Sequence, residues 1–260
     1  MKGKELDIYL PDLKIAFEFN GVYWHNEFNK PKNYHQEKSK MCLEQNIQLI
    51  HVWEDDWLYK TEIIKDIINT KLKNNLINIG ARKCIIKEVS NKDAYDFLNK
   101  YHIQGGLKNN GKTIGLYYND ELVEVLSFGN LRKFMGGNNI NNFYEIYRVC
   151  SKSGYNIQGG FSKLLKYIER VYNPKCLITY ANLDYTIGNV YEKCGFIKEN
   201  LSTPTYTWVI KGIRKHRSNF MKSKLEEFKH DSNLTEVEIM HNRGCWRCWD
   251  SGKIRFKKVY

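Results

Sequence analysis

Prolines are scarce, four in 260 residues, and there is no Pro-, Ser- or Gln-rich stretch, which excludes a low-complexity architecture. Nowhere does an apolar run approach the roughly 18–20 residues that a transmembrane helix needs. Met1–Asp7 is polar and has no apolar signal core, so the expected location is the cytoplasm, with no membrane partner. The seven cysteines are odd in number and include only one close pair, which suits reduced thiols and not a disulfide framework. No internal repeat is visible. What is present is a foldable chain: 42% hydrophobic and 14% aromatic residues supply a packed core and exclude wholesale disorder. The length suits two ordinary domains or one large one. Lys plus Arg number 41 against 29 Asp plus Glu, a net charge of +12. That balance suits a polyanion such as DNA or RNA, although a lysine-rich codon bias produces it too.

Three segments follow from patterning, 1–80, 81–212 and 213–260, in a mixed α+β order. In the first, Leu6–Leu10 and Lys14–Asn20 alternate as half-buried strands around Pro11-Asp12. A helix is expected over Asn33–Gln45, a strand over Gln48–Trp53 and an amphipathic helix over Thr61–Leu76. In the second, Lys83–Val89 reads as a strand, and Ser90 with Asp93 resembles a capping box opening a helix over Asn91–Tyr101. A hairpin follows over Thr113–Tyr118 and Glu121–Phe128, then a polar loop, Asn138–Asn142, and a strand, Phe143–Cys150. Gly159-Gly160 opens a helix, Cys176–Ala181 is a strand, Gly188–Cys194 a short helix and Tyr206–Ile210 a strand. The third segment begins as a basic helix-like stretch and ends in an aromatic tail.

A two-residue turn at Pro11-Asp12 would set Glu5 opposite Glu18, with Asp7 diagonal to it. Glu5, Asp7, Glu18 and Asn20 then share one face, and Leu6, Ile8, Leu10, Ile15, Phe17 and Phe19 the other. Like charges facing one another are destabilising, so this face calls for a cation or a raised pKa. Carboxylate oxygens without cysteines suit Mg2+ better than zinc. The bland alternative is the solvated face of an edge hairpin. His25 ends the same strand region and titrates near neutrality, as a general acid or base requires, unless it is simply a packed or surface histidine. His35 and Lys38, one turn apart on the next helix, are placed to face the same site.

Asp7, then Glu18-Phe19-Asn20, resembles the PD-(D/E)xK nuclease pattern with Asn in the Lys position. Gly21-Val22-Tyr23-Trp24-His25 and Leu49-Ile50-His51-Val52-Trp53-Glu54 resemble the very-short-patch-repair branch and, within it, phage homing endonucleases of the EDxHD type. The resemblance covers about residues 3–75. It implies a small nuclease domain that hydrolyses phosphodiesters of double-stranded DNA with Mg2+ or another divalent cation, phage-encoded and acting in a bacterial host cell. Asp7 and Glu18 would hold the metal and His25 would move a proton. Glu5 would replace an acidic residue that such nucleases carry upstream, and His35 stands where the family has its last Asp.

In the second segment, Ile178–Asn182 followed by Gly188-Asn189-Val190-Tyr191-Glu192-Lys193-Cys194-Gly195-Phe196 resembles the last motif of GNAT-type acyltransferases, and also the Mom-type phage proteins that modify DNA bases. This implies a GNAT-like mixed α/β domain. Gln158-Gly159-Gly160 falls where that family grips the CoA pyrophosphate, since glycines let backbone N–H groups approach an anion at a helix start. Acetyl-CoA or another acyl-CoA is then an expected cofactor, with Gln158, Gly159, Gly160, Asn182 and Tyr191 around it and Tyr191 as general acid toward the thiolate. The plain alternatives are a helix-opening turn and a core aromatic. Two functions thus stand: a DNA endonuclease first, or an acyl-CoA-dependent modifier of nucleic acid, with a non-catalytic DNA-binding protein as the third reading.

Arg214, Lys215, Arg217 and Lys222 crowd the start of the third segment and are expected to ride DNA phosphates, or else to form a solvated basic face. Cys245-Trp-Arg-Cys248 is one CxxC with His241 and His230 as the nearest further ligands. Zinc needs about four, so packed cysteines on a terminal strand are favoured. The oligomeric state is not legible.

Overall fold

The computed structural model describes residues 5–109, 111–132, 140–231 and 233–260. Its elements are β1 (Ile8–Leu10), β2 (Ile15–Asn20), α1 (Tyr34–Glu44), β3 (Gln48–Trp53), α2 (Glu54–Tyr59), α3 (Thr61–Leu72), β4 (Ile77–Gly80), β5 (Ile85–Glu88), α4 (Asn91–Tyr101), β6 (Lys112–Tyr118), β7 (Glu121–Asn130) and β8 (Phe143–Ser151). They continue with β9 (Tyr155–Gln158), α5 (Gly160–Tyr172), β10 (Cys176–Asn182), α6 (Asn189–Lys193), β11 (Ile197–Leu201), β12 (Tyr206–Ile210), β13 (Ile213–His216), α7 (Glu226–His230), α8 (Glu236–Asn242), β14 (Trp246–Trp249) and β15 (Lys253–Val259). The fold is mixed α+β and divides into two units. Unit 1 comprises Met1–Tyr59, Asn182–Ile187 and Leu201–Lys253; unit 2 comprises Lys60–Ala181, Gly188–Asn200 and Ile254–Tyr260.

Unit 1 contains two three-stranded sheets, β1-β2-β3 and β13-β12-β14. The β1–β2 connection is a 3-10 turn over Pro11–Leu13 closed by Lys14 at φ 53°. It is longer than a two-residue turn, so Ile8 faces Phe17. The strict alternation expected of β2 does not hold, because Phe17 is buried along with its neighbours on both sides. Ala16, Glu18 and Asn20 are buried, whereas Ile8 is 55% and Phe19 49% exposed. The physical reason is α1, whose His35, Lys38, Ser39 and Cys42 are all buried. Cys42 packs with Ala16, Ile47 and Leu49, and Lys38 brings a charge that matches Glu18. The basic stretch is not a helix. Arg214 and Lys215 lie in β13, paired antiparallel with β12, and Arg217 and Lys222 lie in 3-10 turns.

Unit 2 is built on a seven-stranded sheet in the order β11-β15-β10-β8-β7-β6-β5. Ser90 caps α4 by accepting the Asp93 N–H at 3.1 Å. Phe97 and Leu98 of α4 pack on Val125 of β7 and Cys150 of β8. The other sheet face is covered by α5, whose Phe161, Leu164, Leu165 and Ile168 are buried and whose Tyr172 ring meets Phe128 at 5.0 Å. A separate parallel pair joins β4 to β9 from Ile77↔Tyr155 to Gly80↔Gln158. Part of the polar loop expected at Asn138–Asn142, namely 138–139, lies outside the described residues. Among the described residues no helix is long and apolar enough to cross a membrane.

Candidate functional site

Strands β8 and β10 form the parallel step of the large sheet. Their pairing runs only from Phe143↔Cys176 to Glu145↔Ile178, although β8 continues to Ser151 and β10 to Asn182. Beyond Glu145 and Ile178 the backbone ladder stops, with Thr179 Oγ1 donating to the Ile146 carbonyl at 3.5 Å as a last bridge, and β8 leads through β9 to the start of α5. There Gly159 sits at φ 77°, a left-handed conformation that glycine adopts without steric cost. The first bond of the helix is donated by the Lys163 N–H to the Gly159 carbonyl at 3.0 Å. The N–H groups of Gly160, Phe161 and Ser162 therefore lack intrahelical acceptors, as at any helix start, and make a natural anion cradle. Gly160 is also sterically required, because a Cβ there would overlap the Glu124 carboxylate.

Glu124 is a site residue that patterning missed. It is buried on β7, and burial alone pushes its carboxyl up to about 8. At neutral pH it is therefore mostly uncharged, which keeps a fixed negative charge away from the start of α5. The available signal was an acid in the middle of an otherwise apolar strand. Lys163 is anchored by donating to the carbonyls of Ala81 and Cys84 at 2.9 and 2.5 Å. The Tyr191 ring lies 5.3 Å from both Phe161 and Phe256, and burial raises its pKa while a bond to Thr179 opposes the shift. Gln158 ends β9 and lines a cavity of about 430 Å³ with Thr70, Lys73, Leu76, Asn78 and Asn156. Asn182 is assigned to unit 1, where its Oδ1 accepts the Asp184 N–H at 3.1 Å.

The N-terminal candidates all lie in unit 1, Glu18 with Lys38 and His25 with His35 as polar pairs, and Asp7 and Glu5 at the surface. Glu18 is 4% exposed and ion-paired with Lys38; burial raises its pKa against the lowering effect of Lys38. Asp7 is exposed and accepts the Phe19 N–H at 2.7 Å. Glu5 is exposed. His25 Nδ1 and His35 Nε2 lie 2.8 Å apart. Burial, reinforced by Lys30, lowers the His25 pKa to about 4, and burial holds His35 well below its usual range. His51 joins them, with Asn20 at 3.1 Å and Ser39 at 2.9 Å. Among the described residues no group of three or more His, Cys, Asp or Glu side chains is arranged to hold a metal ion. The expected cation partner of Glu18 is instead the ammonium of Lys38.

In the basic stretch, Arg214 is half-buried, donates to Asp55 at 2.7 Å, pairs with Asp56 and stacks on Trp53 at 4.1 Å. Arg217 pairs with Glu236 at 3.3 Å, and Lys215 and Lys222 are exposed or half-buried. Cys245 and Cys248 are free and buried on or beside β14. Burial pushes the Cys248 thiol up to about 12, while His241 is engaged with Glu27 at 2.9 Å.

The family model described as the Mom protein family matches residues 83–247. The chain belongs to the Mom protein family. A search of curated proteins gave no match. Among solved structures, an acetyltransferase from Bacillus subtilis in complex with CoA is 18% identical, with a TM-score of 0.38, covering 68% of this chain and 99% of that one. A GNAT family acetyltransferase from Elizabethkingia anophelis with acetyl-CoA bound is 14% identical, with a TM-score of 0.39 and the same coverages. The ribosomal-protein-S18-alanine N-acetyltransferase from Escherichia coli is 10% identical, with a TM-score of 0.41, covering 68% and 93%.

Family membership overturns the expectation of a Mg2+-dependent endonuclease and, with it, of a hydrolase. The geometry gives the physical reason. The carboxylate-bearing face of β2 is interior, its charge is neutralised within the protein, and residues 1–59 share one unit with 201–253.

Proposed function

We propose that this member of the Mom family transfers an acyl group from an acyl-CoA to a base of double-stranded DNA. The observation that carries the reading is the parting of β8 and β10 beside the Gly159-Gly160 start of α5. A gap between two parallel strands offers unpaired backbone groups to an extended ligand, and the adjoining helix start offers N–H donors to its phosphates. Bound there, an acyl-CoA supplies an activated thioester carbonyl. Gly159 and Gly160 hold its pyrophosphate, because neither presents a side chain to it. Tyr191, kept protonated by burial, is the proton donor for the departing sulfur. Glu124, largely neutral at pH 7, leaves the phosphate cradle unopposed. The net charge of +12 supports a nucleic-acid acceptor.

Calorimetric titration with acetyl-CoA tests the donor half of this reading. The expected result is saturable binding that disappears in Gly160→Asp, whose side chain would collide with Glu124 and add negative charge at the cradle. The acceptor half is tested by nucleoside mass spectrometry of DNA incubated with protein and acyl-CoA. No binding of any acyl-CoA, or no mass gain on any base, would sink it.

A further inference from the structure

The cavity between the end of α3 and the β4–β9 pair has no role in the acyl-transfer geometry described so far. It measures about 430 Å³, within the range of sites that enclose a small molecule. Its lining is Thr70, Lys73, Leu76, Asn78, Asn156 and Gln158: one ammonium, one hydroxyl, three amides, one aliphatic side chain and no acid. Asn156 and Asn78 are bonded to one another at 2.7 Å, which fixes their amides in place. The nearby acid of α3, Asp66, is already used, accepting the Gly154 N–H at 2.6 Å. The concave surface thus carries one ammonium and no opposing carboxylate, a setting that selects an anion. Gln158 is the residue immediately before the Gly159-Gly160 helix start, so this cavity and the anion cradle of α5 adjoin along the chain.

We infer that this cavity is a subsite for a phosphate-bearing nucleoside, the 3′-phosphoadenosine end of the acyl donor. The inference rests on the donor reading above and extends it. The acyl end of such a donor belongs at the gap between β8 and β10. The pyrophosphate belongs at the helix start, which leaves the nucleotide end for a polar cavity off the large sheet. The volume suits a nucleoside and is far larger than one phosphate requires. Lys73 supplies the charge, and Thr70 and Gln158 the neutral polar contacts. Four of the six lining residues, Thr70, Lys73, Leu76 and Asn78, lie outside the span matched by the Mom family model.

The experiment compares CoA with dephospho-CoA, which lacks only the 3′-phosphate, on the full-length protein and on Lys73→Glu. Lys73 is exposed at the end of α3, so the variant keeps the fold, and circular dichroism verifies this. Losing one charge-assisted contact to phosphate, and reversing the charge, should weaken CoA about tenfold or more. Dephospho-CoA should bind both proteins within about twofold, and Lys73→Arg should retain CoA binding. Equal weakening of both ligands, or no change in either, overturns the subsite while leaving the donor reading intact. An effect confined to a short DNA duplex also overturns it and reassigns the cavity to the acceptor's backbone. Wild-type protein that binds neither CoA form removes the donor reading and this inference together.

Discussion

A carboxyl group buried beside the start of α5 has a direct consequence for stability. Glu124 has its pKa raised from 4.5 to about 8 by burial alone. The folded chain therefore keeps a proton that the unfolded chain releases above about pH 4.5. Stability is undiminished by this group below that value and declines as pH rises toward 8. Glu124→Gln preserves the shape and removes the ionisation, so urea unfolding should show a gain of about 3 kcal/mol at pH 7 that vanishes at pH 4. An equal gain at both pH values would show that ionisation is not the cause. Sequence patterning passed over this residue because a single acid in a hairpin strand reads as an outward position. What sets its surroundings is α5 closing over β7, a contact between segments about 36 residues apart in the chain.

At the scale of elements, most strands and helices were legible. Gln48–Trp53, Asn91–Tyr101 and Tyr206–Ile210 lie where local pattern and capping put them. The sidedness of β2 was not legible, because hydropathy assigns the carboxylate of Glu18 to a polar face while α1 encloses it. The same enclosure buries His35 and His51 and half-buries His25, and this makes the β2–α1–β3 layer acid-sensitive. Burial lowers His51 from 6.5 to about 3 and His25 to about 4. The unfolded chain takes up these protons first, so the contribution to stability is full above about pH 6.5 and is lost as pH falls through 4 to 3. Acid titration followed by tryptophan fluorescence should show this loss. His51→Gln should lower stability at pH 7, through the bonds to Asn20 and Ser39, yet flatten the acid limb. An unchanged acid limb would place the sensitivity elsewhere.

For the whole molecule, the two units divide the charge unequally. In unit 1 acids and bases are equal in number, whereas in unit 2 lysines and arginines outnumber acids two to one, so the entire +12 resides in unit 2. Local sequence pointed the other way, to the cluster of cations at Arg214–Lys224. A run of like charges hides its counter-ions when these are far away in the chain, as Asp55, Asp56 and Glu236 are. Exposed cations of unit 2 such as Lys83, Lys92 and Lys166 are better placed to neutralise phosphates, because in their unit cations outnumber acids two to one. Each phosphate contact steepens the log–log dependence of duplex affinity on salt by about 0.9. Fluorescence anisotropy across a salt series should therefore give a shallower slope for Lys83→Ala/Lys92→Ala/Lys166→Ala, lower by about 0.9 for each side chain that meets a phosphate. Lys215→Ala/Lys222→Ala should leave the slope near that of the wild type. Arg214 is left out of the comparison, because removing it would strand two buried carboxylates and unfold the sheet it anchors. A slope that falls only in the Lys215/Lys222 variant would return the DNA contact to unit 1.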